Sequence, residues 1–179
     1  MSILYDFRNG KVADLDQVKT LGFIAFSKYF DQLSTEGKNM LETSLNDESK
    51  YLHLFENAKC FVCSFNHDIV GMAFLVPSGT AFDVFEKDWA VIRMVSVHPE
   101  HSGKGIARKL TQQCIDYAKQ INEKTIALHT SEMMTNARHL YESMGFKIKK
   151  EIDTRFGKRY WLYLLENIWL IIKQKNTLL

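Results

Sequence analysis

The stretch from Val95 to Ala107 reads VSVHPEHSGKGIA and joins an apolar run to a glycine-bearing turn. Its first residues are β-branched, which suits a buried strand, and Pro99 ends that strand because it has no N–H for the ladder. After Gly103 and Gly105, the residues Ile106, Leu110, Cys114, Tyr117 and Ile121 recur every three or four positions, so a helix opens there with one apolar face. A strand, a turn and a helix start in that order aim unpaired backbone N–H groups at whatever lies over the helix. The helix dipole adds about half a positive charge at that point. Glycine lets an anion come close to the backbone. The local expectation is a cradle for a phosphate or pyrophosphate, with an ordinary strand-to-helix loop as the alternative on the glycines alone.

Two familiar phosphate motifs do not fit. No Lys-Ser/Thr pair follows Gly105 as a P-loop requires. The dinucleotide fingerprint lacks its third glycine, and the stretch lies mid-chain rather than in a first strand–helix–strand unit. The segment VSVHPEHSGKGIARKL instead resembles motif A of the GNAT superfamily of N-acetyltransferases. The family core is Arg/Gln-x-x-Gly-x-Gly/Ala, here Ser102-Gly103-Lys104-Gly105-Ile106-Ala107, with Ser102 where the family usually has Arg or Gln. Downstream, Ala137-x-x-Leu140-Tyr141-Glu142-x-x-Gly145-Phe146 resembles the ending of motif B. The resemblance covers roughly residues 1–166. It implies an acetyltransferase domain over 1–166 and a C-terminal extension, 167–179, that packs on the domain or on a partner subunit.

The resemblance also implies a site. The backbone amides of Gly103, Lys104, Gly105, Ile106, Ala107 and Arg108 would hold the pyrophosphate of acetyl-CoA. Side chains of Lys104, Arg108 and Lys109 would add positive charge, or else form a solvated basic helix face. The pantetheine arm pairs like a strand in this family, which would fall to the backbone of Val95 and Val97. The oxyanion would lie near a main-chain N–H around Val95. Met134 stands where the family often has an asparagine on pantetheine, Asn136 is near it in a different helical phase, and Ala137 follows. By spacing alone Tyr141 shares an apolar face with Ala137, Leu140 and Met144 and reads as core. The resemblance makes it the general acid for the CoA thiolate.

The general base is the open role. An alkyl amine with a pKa of 10.4 is neutral only about once in 2,500 molecules at pH 7. Many relatives carry a glutamate on the central strand, where this chain has Val91. Asp83, Glu86, Asp88, Glu132 and His129 are candidates, working through water, and the amine could equally arrive neutral from bulk. His98 reads as a turn residue. The acidic residues between Pro77 and Lys87 and beside it could attract a cationic amine or face solvent.

Composition narrows the class. A chain of 179 residues favours one domain with a sizeable core. A net charge of +2 and no basic stripe interleaved with aromatics argue against a nucleic-acid partner. No run reaches the length of a membrane span, and the N-terminus MSILYDFRNG has no signal-peptide pattern, so no membrane association and a cytoplasmic location are expected. Three cysteines, an odd number, argue against a disulfide framework. Cys60 and Cys63 lie in a strand-like run at an odd spacing, which puts them on opposite faces, and no metal site is expected.

The elements that must position these residues come from periodicity. A strand is expected over 3–8, a helix from about Asp14 to Phe30, and a second helix capped by Ser34 or Thr35 through about Leu45. Residues 51–56 are ambiguous. Cys60–Phe65 and Ile69–Val76 read as a hairpin around Asn66-His67-Asp68, and Trp89–Val97 as the central strand. A helix over 104–122, a strand over 125–130, a helix over 135–144 with Gly145 as its left-handed cap, and a closing pair at 146–152 and 160–165 complete the pattern. The expected fold is a single-domain, GNAT-like α/β fold with a mixed, mostly antiparallel sheet flanked by helices. The expected activity is direct transfer of acetyl from acetyl-CoA, without a metal, to a primary amine of a small molecule, polyamine or protein. An acyl-CoA-binding sensor without turnover is the alternative, and a homodimer is left open.

Overall fold

The computed structural model describes residues 5–169. The beginning of the expected first strand and the apolar tail residues Leu170, Ile171 and Ile172 lie outside the described residues.

The hydrophobic alternation along the chain resolves into one seven-stranded sheet in the order β1-β2-β3-β4-β5-β7-β6. The strands are β1 Asp6–Asn9, β2 Lys59–Phe65, β3 Asp68–Val76, β4 Ala90–Val97, β5 Thr125–Ser131, β6 Lys147–Arg155 and β7 Lys158–Glu166. Every neighbouring pair is antiparallel except β4 with β5. The hairpin β2–β3 turns on Asn66 and His67, whose φ values of 50° and 73° match the right-handed twist of the flanking strands. The outer strand β6 carries Lys147, Lys149 and Lys150 in exposed positions, charge that discourages pairing with another edge.

Helices cover both faces. Three precede the hairpin, where periodicity gave two: α1 Leu15–Ser27, α2 Thr35–Asn46 and α3 Glu48–Asn57. The ambiguous residues 51–56 fall inside α3. Asp47 caps it by accepting from the Ser49 N–H, and Tyr51, Leu54 and Phe55 give it an apolar face against β2 and β3. The Ser34 cap of α2 is formed, with its hydroxyl accepting from the Gly37 N–H. Helix α1 stops at Ser27 rather than near Phe30; there the Ser27 hydroxyl bonds back to the Ile24 carbonyl, and a 3₁₀ turn at Phe30–Gln32 comes next. After the central strand come α4 Ile106–Gln120 and α5 Thr135–Ser143. Gly145 closes α5 with φ 95°.

Val18, Leu21, Tyr51, Cys60 and Phe74 pack between α1, α3 and one face of the sheet. Cys63, Ile106, Leu110, Cys114 and Tyr163 pack between α4 and the other face. Cys60 and Cys63 are therefore separated by the sheet, as their odd spacing requires. Ile168 is fully buried in the α4-side core, and the Trp169 indole N–H donates to the Glu123 carbonyl.

Gly71 on β3 fixes how closely α4 lies on the sheet. A Cβ there would sit 2.6 Å from Ile106 Cγ2 and 3.0 Å from Leu110 Cδ1. Those are residues of the first and second turns of α4, so glycine is what lets the helix start seat. Gly71→Ala should overpack this contact and cost about 1–3 kcal/mol, read as a lower midpoint in urea unfolding. An unchanged midpoint would mean that α4 lifts off the strand without cost.

Candidate active site

The site begins with an irregularity in β4. Phe74 pairs with Arg93 and Met72 with Ser96, so Ala73 alone faces two residues, Met94 and Val95. This is a β-bulge, and Met94 takes φ 53°, a left-handed conformation rare for an unbranched but bulky side chain. Such strain costs about 1–3 kcal/mol and persists only where the surroundings hold it.

β4 and β5 part before the bulge is reached. Their parallel pairing has two rungs, Ala90 with Ile126 and Val91 with Ala127, although β4 runs on to Val97 and β5 to Ser131. A slot opens between them, part of a cavity of about 580 Å³. Several of its polar atoms have no protein partners among the described residues. Ser96 is buried at 3% exposure and Thr130 at 1%, their hydroxyls are unpaired, and so are both ring nitrogens of His129. A buried polar group without a partner costs about 1–3 kcal/mol, so three such side chains in one slot fit a polar ligand threaded through it.

One mouth of the cavity is the start of α4. Gly103 and Gly105 have φ 76° and 77°, with open space where a Cβ would stand. These left-handed glycines hold the helix start to Ile106, two residues after the expected 104. The first backbone bond of α4 runs from the Lys109 N–H to the Gly105 carbonyl. The amides from Gly103 to Arg108 thus have no backbone acceptor among the described residues and form the positive end of the helix dipole. No acidic residue occupies the first turn.

Of the residues the sequence pointed to, Val95, Val97, Gly103, Gly105, Ile106, Ala107, Arg108, Met134, Asn136, Ala137 and Tyr141 all line this one cavity. Lys104 does not line it: its ammonium lies over the Tyr5 ring, and that of Lys109 lies over Phe7, so both side chains turn to the β1 side. Arg108 donates to the Ser143 hydroxyl at 2.7 Å and ties α4 to α5. Tyr141 is buried at 6% exposure with its ring edge-on to Phe146, and burial raises its pKa. Its hydroxyl therefore remains protonated, a donor, throughout the neutral range.

The acidic candidates are not brought to the cavity. Asp83 is bound to Arg155 at 2.5 Å, Glu132 accepts from the Arg159 N–H, and Glu86 and Asp88 are exposed on the connection before β4. Val91 is fully buried against Phe85, Ala127 and Tyr160, so its position is sealed from the slot. His98 is the turn residue expected, its Nδ1 accepting from the Glu100 N–H. His129 does line the cavity, stacked on Phe85 with centroids 5.6 Å apart. Periodicity did not find Arg93, Arg155, Ser96 or Thr130, which also line it. A cation amid the apolar run AVIRMVSV was the available signal for Arg93. Among the described residues no three His, Cys, Asp or Glu side chains are grouped as metal ligands, and no helix is long and apolar enough to cross a membrane.

A cradle of free amides opens onto a polar slot in the split sheet of this α/β protein. The acetyltransferase (GNAT) family pattern matches residues 25–146. The chain belongs to the acetyltransferase (GNAT) family. The L-amino acid N-acyltransferase MnaT of Escherichia coli is 33% identical over 87 residues, 47% of this chain and 48% of that protein. This chain spans about half the length of the first curated relatives it matches. Among solved structures, PaiA N-acetyltransferase from Thermoplasma acidophilum, in complex with coenzyme A, superposes with a TM-score of 0.70 at 14% identity, covering 89% of this chain and 98% of that one. The putative acetyltransferase yncA from Salmonella typhimurium, with its cofactor acetyl-CoA, gives 0.65 at 19% identity, covering 90% and 93%. At such identities the likeness shows the shared fold.

Burial, followed by Arg93 and Arg155, lowers the His129 pKa to about 4. Unfolded, the ring titrates at about 6.5. Above that pH neither state takes the proton, and this contribution to stability is complete. As pH falls from about 6.5 towards 4 the unfolded chain binds a proton that the native chain refuses, and stability is lost. His129→Phe keeps the stacking and removes the titration. Melting temperatures across this range should fall less steeply for the variant than for the wild type, and parallel curves would contradict the assignment.

Proposed function

We propose that the chain transfers an acetyl group from acetyl-CoA directly to a primary amine. The observation that carries this reading is the slot between β4 and β5, opening at its mouth on six free amides. The amides of Gly103 to Arg108 would bind the pyrophosphate, and the backbone of Val95 and Val97, on the edge of β4 that β5 leaves open, would pair with pantetheine as a further strand would. Ser96 and Thr130 offer hydroxyls to the same arm. Two structures of this fold, one with coenzyme A and one with acetyl-CoA, support that choice of donor.

Val95 falls in the bulge and has no partner in the β3–β4 register, and its N–H would stabilise the oxyanion formed as nitrogen attacks the thioester carbonyl. The C–N bond forms, the C–S bond breaks, and sulfur leaves with the electron pair. Tyr141 would donate to that thiolate, and the proton lost from nitrogen balances the one gained by sulfur. A direct route is favoured because Cys60, Cys63 and Cys114 do not line the cavity. Burial pushes the Cys60 thiol up to about 12 and the Cys63 thiol to about 11, far from the thiolate an acyl carrier needs.

No carboxylate lines the cavity, and a histidine with a pKa of about 4 is a weak base at neutral pH. The amine would therefore lose its proton to solvent. The cationic lining of Lys28, Arg93 and Arg155 favours the neutral form, because a nearby positive charge lowers an ammonium pKa.

The test is CoA thiol release with a panel of amines. Release matched by N-acetylated product supports transfer; acetyl-CoA binding without release from any amine points to a sensor. Tyr141→Phe keeps the ring and removes the hydroxyl. In it kcat should fall on the order of a hundredfold or more while acetyl-CoA affinity stays within a few-fold. Unchanged kcat with lost stability would return Tyr141 to the core; unchanged kcat and stability would assign the proton to water or another group.

A further inference from the structure

The far end of the same cavity is lined by cationic side chains, and the carboxylate near them, Asp83, is held by Arg155 outside the lining. Beyond the bulge from α4, β4 presents Arg93 and β5 presents His129, each two residues past the last rung that joins Val91 to Ala127. Alternation puts both on the face of those two residues, and the bulge at Met94 comes only after Arg93. Lys28 and Arg155 join them in the lining, with Phe26, Tyr29, Phe156 and Tyr160 as aromatic walls. Not one aspartate or glutamate lines the cavity.

The cations differ in how they are matched. Arg155 holds Asp83, and Lys28 lies over the Tyr29 ring. Arg93 is half-buried and has neither a carboxylate within ion-pair distance nor a hydrogen-bond acceptor among the described residues; its guanidinium faces the Phe82 ring at 5.8 Å. Burial lowers its pKa, with Asp83 opposing, though an arginine remains charged at any working pH. A guanidinium withdrawn from water, in a strand, with its planar fork unspent, fits a bidentate partner such as a carboxylate.

Arg93 does not belong to the phosphate end. From Val97 to Arg93 the strand spans roughly 13 Å at about 3.3 Å per residue, and Val95, where the thioester would react, lies between. The anion that meets Arg93 therefore arrives on the acceptor's side of the reacting carbon. We propose that the acceptor is a small amine bearing a carboxylate close to the reacting nitrogen, an amino acid, with Arg93 as the residue that binds the carboxylate. This rests on the transfer reading above and narrows its substrate class. It disfavours a polyamine, whose several ammonium groups would meet Lys28, Arg93 and Arg155 without a compensating carboxylate.

The experiment compares the standard L-amino acids, their α-amides and spermidine in the thiol-release assay, for the wild type, Arg93→Gln and Arg93→Lys. The wild type should use at least one amino acid with kcat/KM tenfold or more above that of its own amide. Arg93→Gln should raise KM for that amino acid at least tenfold and reduce the acid-to-amide ratio towards one, with acetyl-CoA affinity within a few-fold. Arg93→Lys, which keeps the charge and loses the fork, should fall between. Calorimetric titration of the same amino acids into the CoA-loaded protein separates the two claims. Binding that Arg93→Gln abolishes, with no turnover of any amine, leaves the carboxylate site standing and ends the transfer reading. Turnover of spermidine or amides in preference to acids, or an acid preference unchanged in Arg93→Gln, overturns this inference and leaves transfer intact. A lowered melting curve for Arg93→Gln with the ratio unchanged makes the arginine structural and also overturns it.

Discussion

The separation of β4 from β5 is the constraint on which the rest of the site depends. A parallel pair that stopped nowhere would bury Ser96 and Thr130 in a closed sheet and leave no slot. The pairing ends at Val91, and the bulge at Met94 falls three residues later, in the part of β4 that has already left β5. The cores on either side make the strain tolerable. Met94 packs with the α1 and α3 cluster, while Val95 and Val97 turn to the α4 cluster, so neighbours grip the strand on both faces of the bulge. The strain of the bulge and the unpaired hydroxyls are both costs of holding the slot open, and both are of the size that a bound ligand can offset.

Electrostatics divide the cavity along its length. At the α4 end the charge comes from backbone amides, which are fixed and need no side-chain ordering. The side chains of Lys104 and Lys109 turn away from this end, so the cradle does not depend on them. At the other end the charge comes from guanidinium groups, one matched and one not. Tyr141 lines the same cavity, a buried donor that burial keeps protonated.

The glycines, the strand that precedes them and the helix after them were legible because each rests on local rules: φ above zero at Gly103 and Gly105, and a three-to-four-residue apolar period in α4. The ambiguity at residues 51–56 was one of length, since a ten-residue helix offers few turns on which to count a period. The bulge was not legible. Nothing in the local preference of Met94 asks for a left-handed backbone, and its conformation is imposed by the strands on either side. The acidic residues before β4 drew attention as candidate bases because sequence gives charge without direction. The fold turns Asp83 to Arg155 and leaves Glu86 and Asp88 exposed. Arg93 was visible as a lone cation in an apolar strand, yet only the geometry shows that no carboxylate meets it.

Backbone hydrogen exchange with and without coenzyme A tests the account most directly, because it reads the amides themselves. Slowed exchange should be concentrated at the N–H groups of residues 103–108 and at Val95 and Val97, with the β6–β7 hairpin unaffected. Protection confined to the second cavity, lined by Gln17, Thr20, Ile69 and Glu100, would contradict it, as would binding that leaves the amides of 103–108 exchanging as before.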